Sequence, residues 1–189
     1  MDKLPIKTGR ANRFATRFNN FDENKDFYPT PRIATEKLLE REVFEGDIWE
    51  PACGDGAISK VLEEKGMTVF SSDLVYRGYG EQADFLSISK LTASSNIITN
   101  PPYKIAEEFL NQALIMADRK IAFLLRLTFL ESEGRYNLLT QSPLKTVYVF
   151  SKRLPIYKNG IVGNSGMVAY AWYVWEKGYE GKPIIEWIL

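Results

Sequence analysis

Apolar and polar positions change rhythm several times along the chain, and the changes predict its elements. Residues 1–26 are polar with no sustained period, which predicts an arm and not a packed element. Phe27-Tyr28-Pro29-Thr30-Pro31 then opens a helix. Thr30 suits the N-cap, Pro31 suits the first helical position, and Ala34 and Leu38 follow at helical spacing. After Gly46 the pattern alternates strand and helix. Ile48 to Cys53 reads as a short buried strand, Gly54-Asp55-Gly56 as a tight turn, and Ile58, Val61 and Leu62 as one face of a helix. Thr68 to Ser72 is a second strand ending at Asp73, residues 81–86 form a third and shorter one, and Asn96 to Thr99 a fourth. The clearest helix follows, with Ala106, Phe109, Leu110, Ala113, Leu114 and Ala117 on one face. Ile121 to Leu127 is a fifth strand, and residues 131–141 are a helix weakened by Gly134. Thr146 to Ser151 and Val168 to Trp175 are aromatic-rich strand patterns with no helix between them, as in an antiparallel pair.

Repeated β-α units that end in such a pair predict a twisted, mostly parallel sheet with helices on both faces and a terminal antiparallel strand. The expectation is seven strands in one catalytic domain over residues 27–189, preceded by the arm at 1–26. No internal repeat or low-complexity tract interrupts this plan.

Composition narrows the chemistry. The chain has no histidine, which excludes His-ligated metal sites, Ser-His triads and imidazole bases together. No metal is expected. The lone cysteine, Cys53, cannot form an internal disulfide and fits a reducing compartment, so a cytoplasmic location is expected. No apolar run approaches the length of a membrane span. Lys and Arg total 24, as do Asp and Glu, so charge alone would not hold this chain on nucleic acid. The charge is uneven, however. Lys3, Lys7, Arg10, Arg13 and Arg17 stand against Asp2 in the arm, either as a solvated tail or as a contact for a phosphate backbone.

In an open α/β sheet, ligands sit beyond the carboxyl ends of the strands. Three residue clusters fall at predicted strand ends. In Glu50-Pro51-Ala52-Cys53-Gly54-Asp55-Gly56, two glycines let the backbone turn tightly and come close to a ligand. Asp73 ends the next strand, 17 positions after Gly56, where a carboxylate can accept bonds from both hydroxyls of a ribose. These two features indicate a nucleoside-containing cofactor. The third glycine of the dinucleotide fingerprint is missing, since Ser59 stands in its place. The third cluster is Asn100-Pro101-Pro102-Tyr103. Its prolines stiffen the turn, so the Asn100 oxygen and a main-chain carbonyl can receive the two hydrogens of an –NH₂ group. Tyr103 can stack on the plane that bears that group.

On these motifs the chain resembles the class I S-adenosylmethionine-dependent methyltransferases that modify amino nitrogens, with their Rossmann-like fold. Asn100 to Tyr103 is similar to the signature of adenine-N6 DNA methyltransferases, and Phe27 to Pro31 is similar to their upstream motif. The resemblance covers roughly residues 27–176. It implies S-adenosylmethionine as cofactor and N6 of adenine in DNA as the methyl acceptor. It also implies roles. Gly54 and Gly56 border the methionine moiety, Glu50 lies near its amino group, and Ala52 is among the cofactor-binding residues. Tyr28 and Thr30 approach from the upstream segment. Asp73 binds the ribose, Asp84 recognises the cofactor adenine, and Phe85 packs on that ring. Asn100, Pro101, Pro102 and Tyr103 form the catalytic turn, with Asn100 also reaching the cofactor.

Sequence-specific members of this family carry an extra recognition region, whereas this chain has only a short late loop. Its Arg153, Tyr157 and Lys158 mix cationic and aromatic character and are candidates for substrate contact. A specificity partner is an alternative way to read sequence. Cys53 is expected to pack beside the glycine loop. The same site chemistry also serves RNA or a protein glutamine, and a non-catalytic cofactor-binding module is a third reading. Oligomeric state is left open by the sequence.

Overall fold

A computed structural model describes residues 27–89, 94–157 and 168–189. The basic arm and Lys158 lie outside the described residues. The strands are β1 (Ile48–Glu50), β2 (Val69–Asp73), β3 (Glu81–Gln82), β4 (Ser94–Thr99), β5 (Ala117–Arg126), β6 (Leu144–Phe150), β7 (Tyr170–Glu176) and β8 (Ile184–Ile188). The α-helices are α1 (Arg32–Leu39), α2 (Ser59–Glu64), α3 (Ala106–Met116) and α4 (Tyr136–Gln141).

The strands form one eight-stranded sheet in the order β3-β2-β1-β4-β5-β7-β6-β8. Neighbours are parallel except β7, which runs antiparallel between β5 and β6. From β1 the chain passes to β2 and β3 on one side, then returns to β4 on the other. The loops after β1 and β4 therefore part at the switch point, where a crevice must open.

Both faces of the sheet are covered, which is why its central strands read as nearly continuous apolar runs. In β5, Ile121, Phe123 and Leu125 join a core with Phe109, Leu110 and Ala113 of α3. Ala122 and Leu124 face the other way, toward Ala34 and Leu38 of α1 and Leu62 of α2. Strand β7 alternates likewise, sending Tyr173 and Trp175 to the first core and Trp172 and Val174 to the second. The Trp172 indole donates to the Ala34 carbonyl at 2.7 Å, which satisfies its buried N–H and ties α1 to the sheet.

Several boundaries differ from expectation. Helix α1 begins at Arg32 with Pro31 in the capping position and no side-chain cap, so Thr30 is not an N-cap. Its hydroxyl is engaged by Asn100 instead. The third strand stops at Gln82, because the Asp84 carboxylate accepts from the Leu86 N–H and the Ser87 hydroxyl and winds residues 85–87 into a 3₁₀ turn. Ala117 continues the helical period of α3 but is the first residue of β5, which runs straight on from Met116. The predicted helix over 131–141 is a 3₁₀ turn at Glu133–Arg135 followed by the short α4. Strand β8, parallel to β6, lies beyond the seven expected strands and raises the count to eight.

Candidate functional site

The crevice at the switch point is lined by residues from four separate parts of the chain. The loop after β1 contributes Glu50 to Asp55, and β2 contributes Asp73. The turn after β4 contributes Asn100 to Tyr103, and the segment ahead of α1 contributes Phe27 to Thr30. Phe85 and Phe109 complete one wall. The sequence-predicted residues Tyr28, Thr30, Glu50, Ala52, Gly54, Asp73, Phe85, Asn100, Pro101, Pro102 and Tyr103 all meet there. Gly56, in the same loop, does not line the crevice. Asp84 is buried beside it, its carboxylate taken up by the 3₁₀ turn. Arg153 is exposed and Tyr157 half-buried, and neither lines this crevice.

The glycine loop is shaped by its contacts. Gly54 and Gly56 have φ of 56° and 81°, a region that side chains other than glycine rarely adopt. A Cβ on Gly54 would collide with the Phe27 ring. Asp73 fastens this loop, because Oδ2 accepts from the Gly54 N–H at 2.9 Å while Oδ1 accepts from the Val75 N–H at 2.9 Å. Burial raises the Asp73 carboxyl above its usual range despite these bonds.

Glu50 is the most deeply buried acid of the site, at 1% exposure. Its Oε2 accepts from the Ser59 N–H at 2.8 Å and from the Ser59 hydroxyl. Burial drives its carboxyl well above the ordinary value of 4.5, and the nearby charges of Asp73 and Asp55 push the same way. Asp55 Oδ1 is buried with no hydrogen-bond partner among the described residues. Three carboxyl groups thus line one crevice together with Arg77. Cys53 is buried, and desolvation pushes its thiol up to about 12, so it packs and does not act as a nucleophile.

Asn100 is oriented by the upstream segment. Its Nδ2 donates to the Tyr28 carbonyl at 3.1 Å and to Thr30 Oγ1 at 3.1 Å. A carbonyl only accepts, so the amide nitrogen must face it and Oδ1 must face away. That Oδ1 is buried with no partner among the described residues. Tyr103 stands beside it, with ring centroids 5.8 Å from Tyr28 and 5.9 Å from Tyr170. The Arg126 guanidinium lies over the Tyr103 ring at 4.7 Å. Burial raises the Tyr103 hydroxyl well above its usual range, so it stays protonated.

Sequence reasoning missed four supporting residues. Ser59 holds Glu50, Arg77 lies over the Phe27 ring at 4.7 Å, Tyr79 packs on Gly56, and Arg126 covers Tyr103. Arg126 carried a readable signal, as a cation ending the apolar run of β5 on the edge of the sheet where the crevice opens.

No family model matches the sequence, and no curated protein matches it. Solved structures do match in fold. A modification subunit described as that of a type I restriction enzyme from Vibrio vulnificus aligns over 92% of this chain with a TM-score of 0.55 at 15% identity. This chain spans 48% of that subunit, about half its length. The 23S rRNA methyltransferase ErmE aligns over 83% of this chain and 71% of its own, with a TM-score of 0.55 at 15% identity. Magnesium protoporphyrin IX methyltransferase from Synechocystis, solved with bound S-adenosylmethionine, aligns over 94% of this chain and 87% of its own, with a TM-score of 0.51 at 11% identity. Two of these are named for dissimilar substrates, a porphyrin and an rRNA, while the sheet is shared, so the likeness is one of architecture. The chain has the Rossmann-like fold of these methyltransferases, and the crevice at its switch point is the candidate site.

Proposed function

We propose that the chain transfers a methyl group from S-adenosylmethionine to the exocyclic N6 of adenine in DNA. The observation that carries this reading is the buried, unpartnered Asn100 Oδ1, which two bonds from Nδ2 hold in place at the rim of the crevice. Cofactor binding alone does not need an orphaned acceptor next to an aromatic ring. An arriving –NH₂ group satisfies it.

The crevice fits the cofactor by its chemistry. Glu50 is placed to meet an ammonium, and Asp73 keeps acceptor capacity for ribose hydroxyls. Phe85, packed against the core residue Trp49 and the wall residue Phe109, offers a face for a purine. The acidic lining suits a ligand that carries both an ammonium and a sulfonium. When bound, that cofactor supplies an electrophilic methyl carbon without help from a metal.

The chain's own residues then do four things. Asn100 Oδ1 and the Pro101 carbonyl accept the two amino hydrogens, which fixes the nitrogen and favours its pyramidal form as positive charge develops. Tyr103 stacks on the ring that bears the nitrogen. The Phe27–Thr30 segment closes over the crevice and excludes water. The amino proton leaves to solvent after transfer, so no histidine is required. In this reading residues 27–189 act as one catalytic domain, the arm at 1–26 supplies phosphate contacts, and Arg153, Tyr157 and Lys158 touch substrate outside the crevice.

The test is incubation with labelled S-adenosylmethionine and DNA, RNA or protein, followed by mass spectrometry of the nucleosides or residues. N6-methyladenine in DNA, strongly reduced with Asn100→Ala, is the expected result. Label in RNA or on glutamine moves the substrate but keeps the site chemistry. No transfer to any amino nitrogen overturns the reading.

A further inference from the structure

We propose that a cleft next to the catalytic turn binds the nucleotides flanking the target in a single strand, with Trp187 as its stacking platform. The inference rests on the reading of the site as a nucleic-acid amino-methyltransferase and adds the form of its substrate.

Three cavities lie in series on the catalytic edge of the sheet. Tyr103 lines the cofactor crevice and also a second cavity of about 160 Å³, which it shares with Arg126, Thr128, Phe129 and Arg135. Arg135 builds that second wall, donating to the carbonyls of Phe129 and Glu131 and pairing with Glu107 at 3.0 Å. Arg126 in turn lines a third, open cleft of about 970 Å³. A target ring on Tyr103 would therefore have its neighbours in this cleft, with Arg126 at the junction.

The cleft has the character of a single-strand groove. Val149, Val168 and Ile185 form an apolar floor, Trp187 a wall, and Arg126 and Arg153 a cationic rim against Glu131. Trp187 follows from the fold. It pairs with Val149 across β6 and β8, while the next residue, Ile188, turns to the opposite face and is buried. Strand β8 ends the sheet, and the indole beside it is 66% exposed. The other three tryptophans, Trp49, Trp172 and Trp175, are at 1% exposure or less. An exposed indole beside guanidinium groups is the arrangement by which proteins hold unpaired bases.

A single strand fits better than a duplex because bases next to a flipped nucleotide in a duplex stay stacked on and paired with their neighbours, whereas those of a single strand can lie on an exposed ring without breaking pairs.

Trp187 is the exposed tryptophan, so acrylamide quenching of the full chain reports on it selectively. A single-stranded oligodeoxynucleotide with one adenine among thymines should shield Trp187, and its complementary duplex should not. Trp187→Ala should weaken binding of the single strand roughly 5- to 150-fold, the equivalent of one lost base stack. Trp187→Phe should restore most of it, and neither change should alter affinity for S-adenosylhomocysteine. Equal shielding by duplex and single strand overturns the proposal, as does binding unaffected by Trp187→Ala. Shielding that rises with protein concentration alone overturns it in favour of self-association through β8. Methylation is scored in the same samples. Adenine methylated without shielding of Trp187 sinks only the cleft, whereas an oligonucleotide neither bound nor methylated sinks the functional reading with it.

Discussion

Replacing Glu50 by Gln should make the ligand-free protein more stable and the cofactor complex weaker. The carboxyl is buried, and among the described residues Ser59 is its hydrogen-bonding support, through two bonds to one oxygen. A glutamine of the same shape keeps both bonds through its own oxygen and removes the charge. The sign of the pH effect follows from the raised carboxyl. As pH rises through its ordinary value of 4.5, the unfolded chain releases this proton while the folded chain still holds it. Over that window the folded state binds more protons, so this group's contribution to stability is present at low pH and falls until the folded carboxyl ionises too. Each tenfold change in its ionisation constant corresponds to about 1.4 kcal/mol.

Relief of about 1–3 kcal/mol, the range for a poorly satisfied buried polar group, should raise Tm at neutral pH by roughly 2–12 °C. The gap between Glu50→Gln and the parent should close as pH falls below 4.5. Affinity should move the opposite way. Loss of a charge-assisted bond to an ammonium costs about 1.5–3 kcal/mol, or roughly 10- to 150-fold in Kd. Cofactor affinity of the parent should also rise with pH as Glu50 ionises, with proton release on binding, and that dependence should vanish in the variant. Thermal melts from below the ordinary value of 4.5 up through neutral pH and calorimetry in buffers of different ionisation enthalpy measure both. A variant that is less stable at neutral pH, or that binds S-adenosylhomocysteine as tightly as the parent, would refute the assignment of Glu50 to a cationic group.

Asn100→Ala should cut transfer by about 10²–10³ by removing a preorganised acceptor. It should also loosen the cofactor modestly in calorimetry, because the bonds to Tyr28 and Thr30 go with it. Tyr103→Ala should suppress turnover while Tyr103→Phe is milder in steady-state assays, since the ring face does the stacking. Glu42→Ala should cost about 1–3 kcal/mol and lower Tm by roughly 2–12 °C without changing turnover. It strips buried partners from Lys120 and from the Tyr148 hydroxyl, neither of which lines the crevice. Deleting residues 2–18 should flatten the dependence of log K on log salt for DNA by about 0.9 for each phosphate that the arm neutralises, with cofactor affinity unchanged; an unaltered slope makes the arm a solvated tail.

What was legible in the sequence was what is local. Apolar runs mark β1, β2, β4 and β5, and the residues just after them have to lie on one edge of a parallel sheet. The glycine turn, Asp73 and Asn100-Pro101-Pro102-Tyr103 therefore meet in space as the strand ends imply. Features set by distant partners were not legible. Thr30 has the chemistry of an N-cap, but Asn100, seventy residues on, takes its hydroxyl. Ala117 continues a helical period because one apolar face packs both α3 and the start of β5. Asp84 reads as part of a strand, yet its side chain accepts from the Leu86 N–H two residues on, a competition that periodicity does not register. Strand β8 has signals, with Gly178 and Gly181 as turn residues before Ile184-Ile185-Glu186-Trp187-Ile188, but three of those apolar residues stay largely exposed. A strand that buries so little leaves a weak pattern.

That weakness bears on function. A packed core explains most apolar residues of this chain, including the other three tryptophans, and it explains Ile188 of β8. It does not explain Trp187, one of several exposed large apolar residues, or Asn100 Oδ1, one of several buried side-chain atoms without a partner among the described residues. These two lie on the same edge of the sheet and are linked through Tyr103 and Arg126. Folding alone would select against each of them, since burying the indole or pairing the amide oxygen would stabilise the chain. A ligand that presents an amino group to one and a flat face to the other relieves both at once. An unpaired purine with its neighbours still attached has that shape.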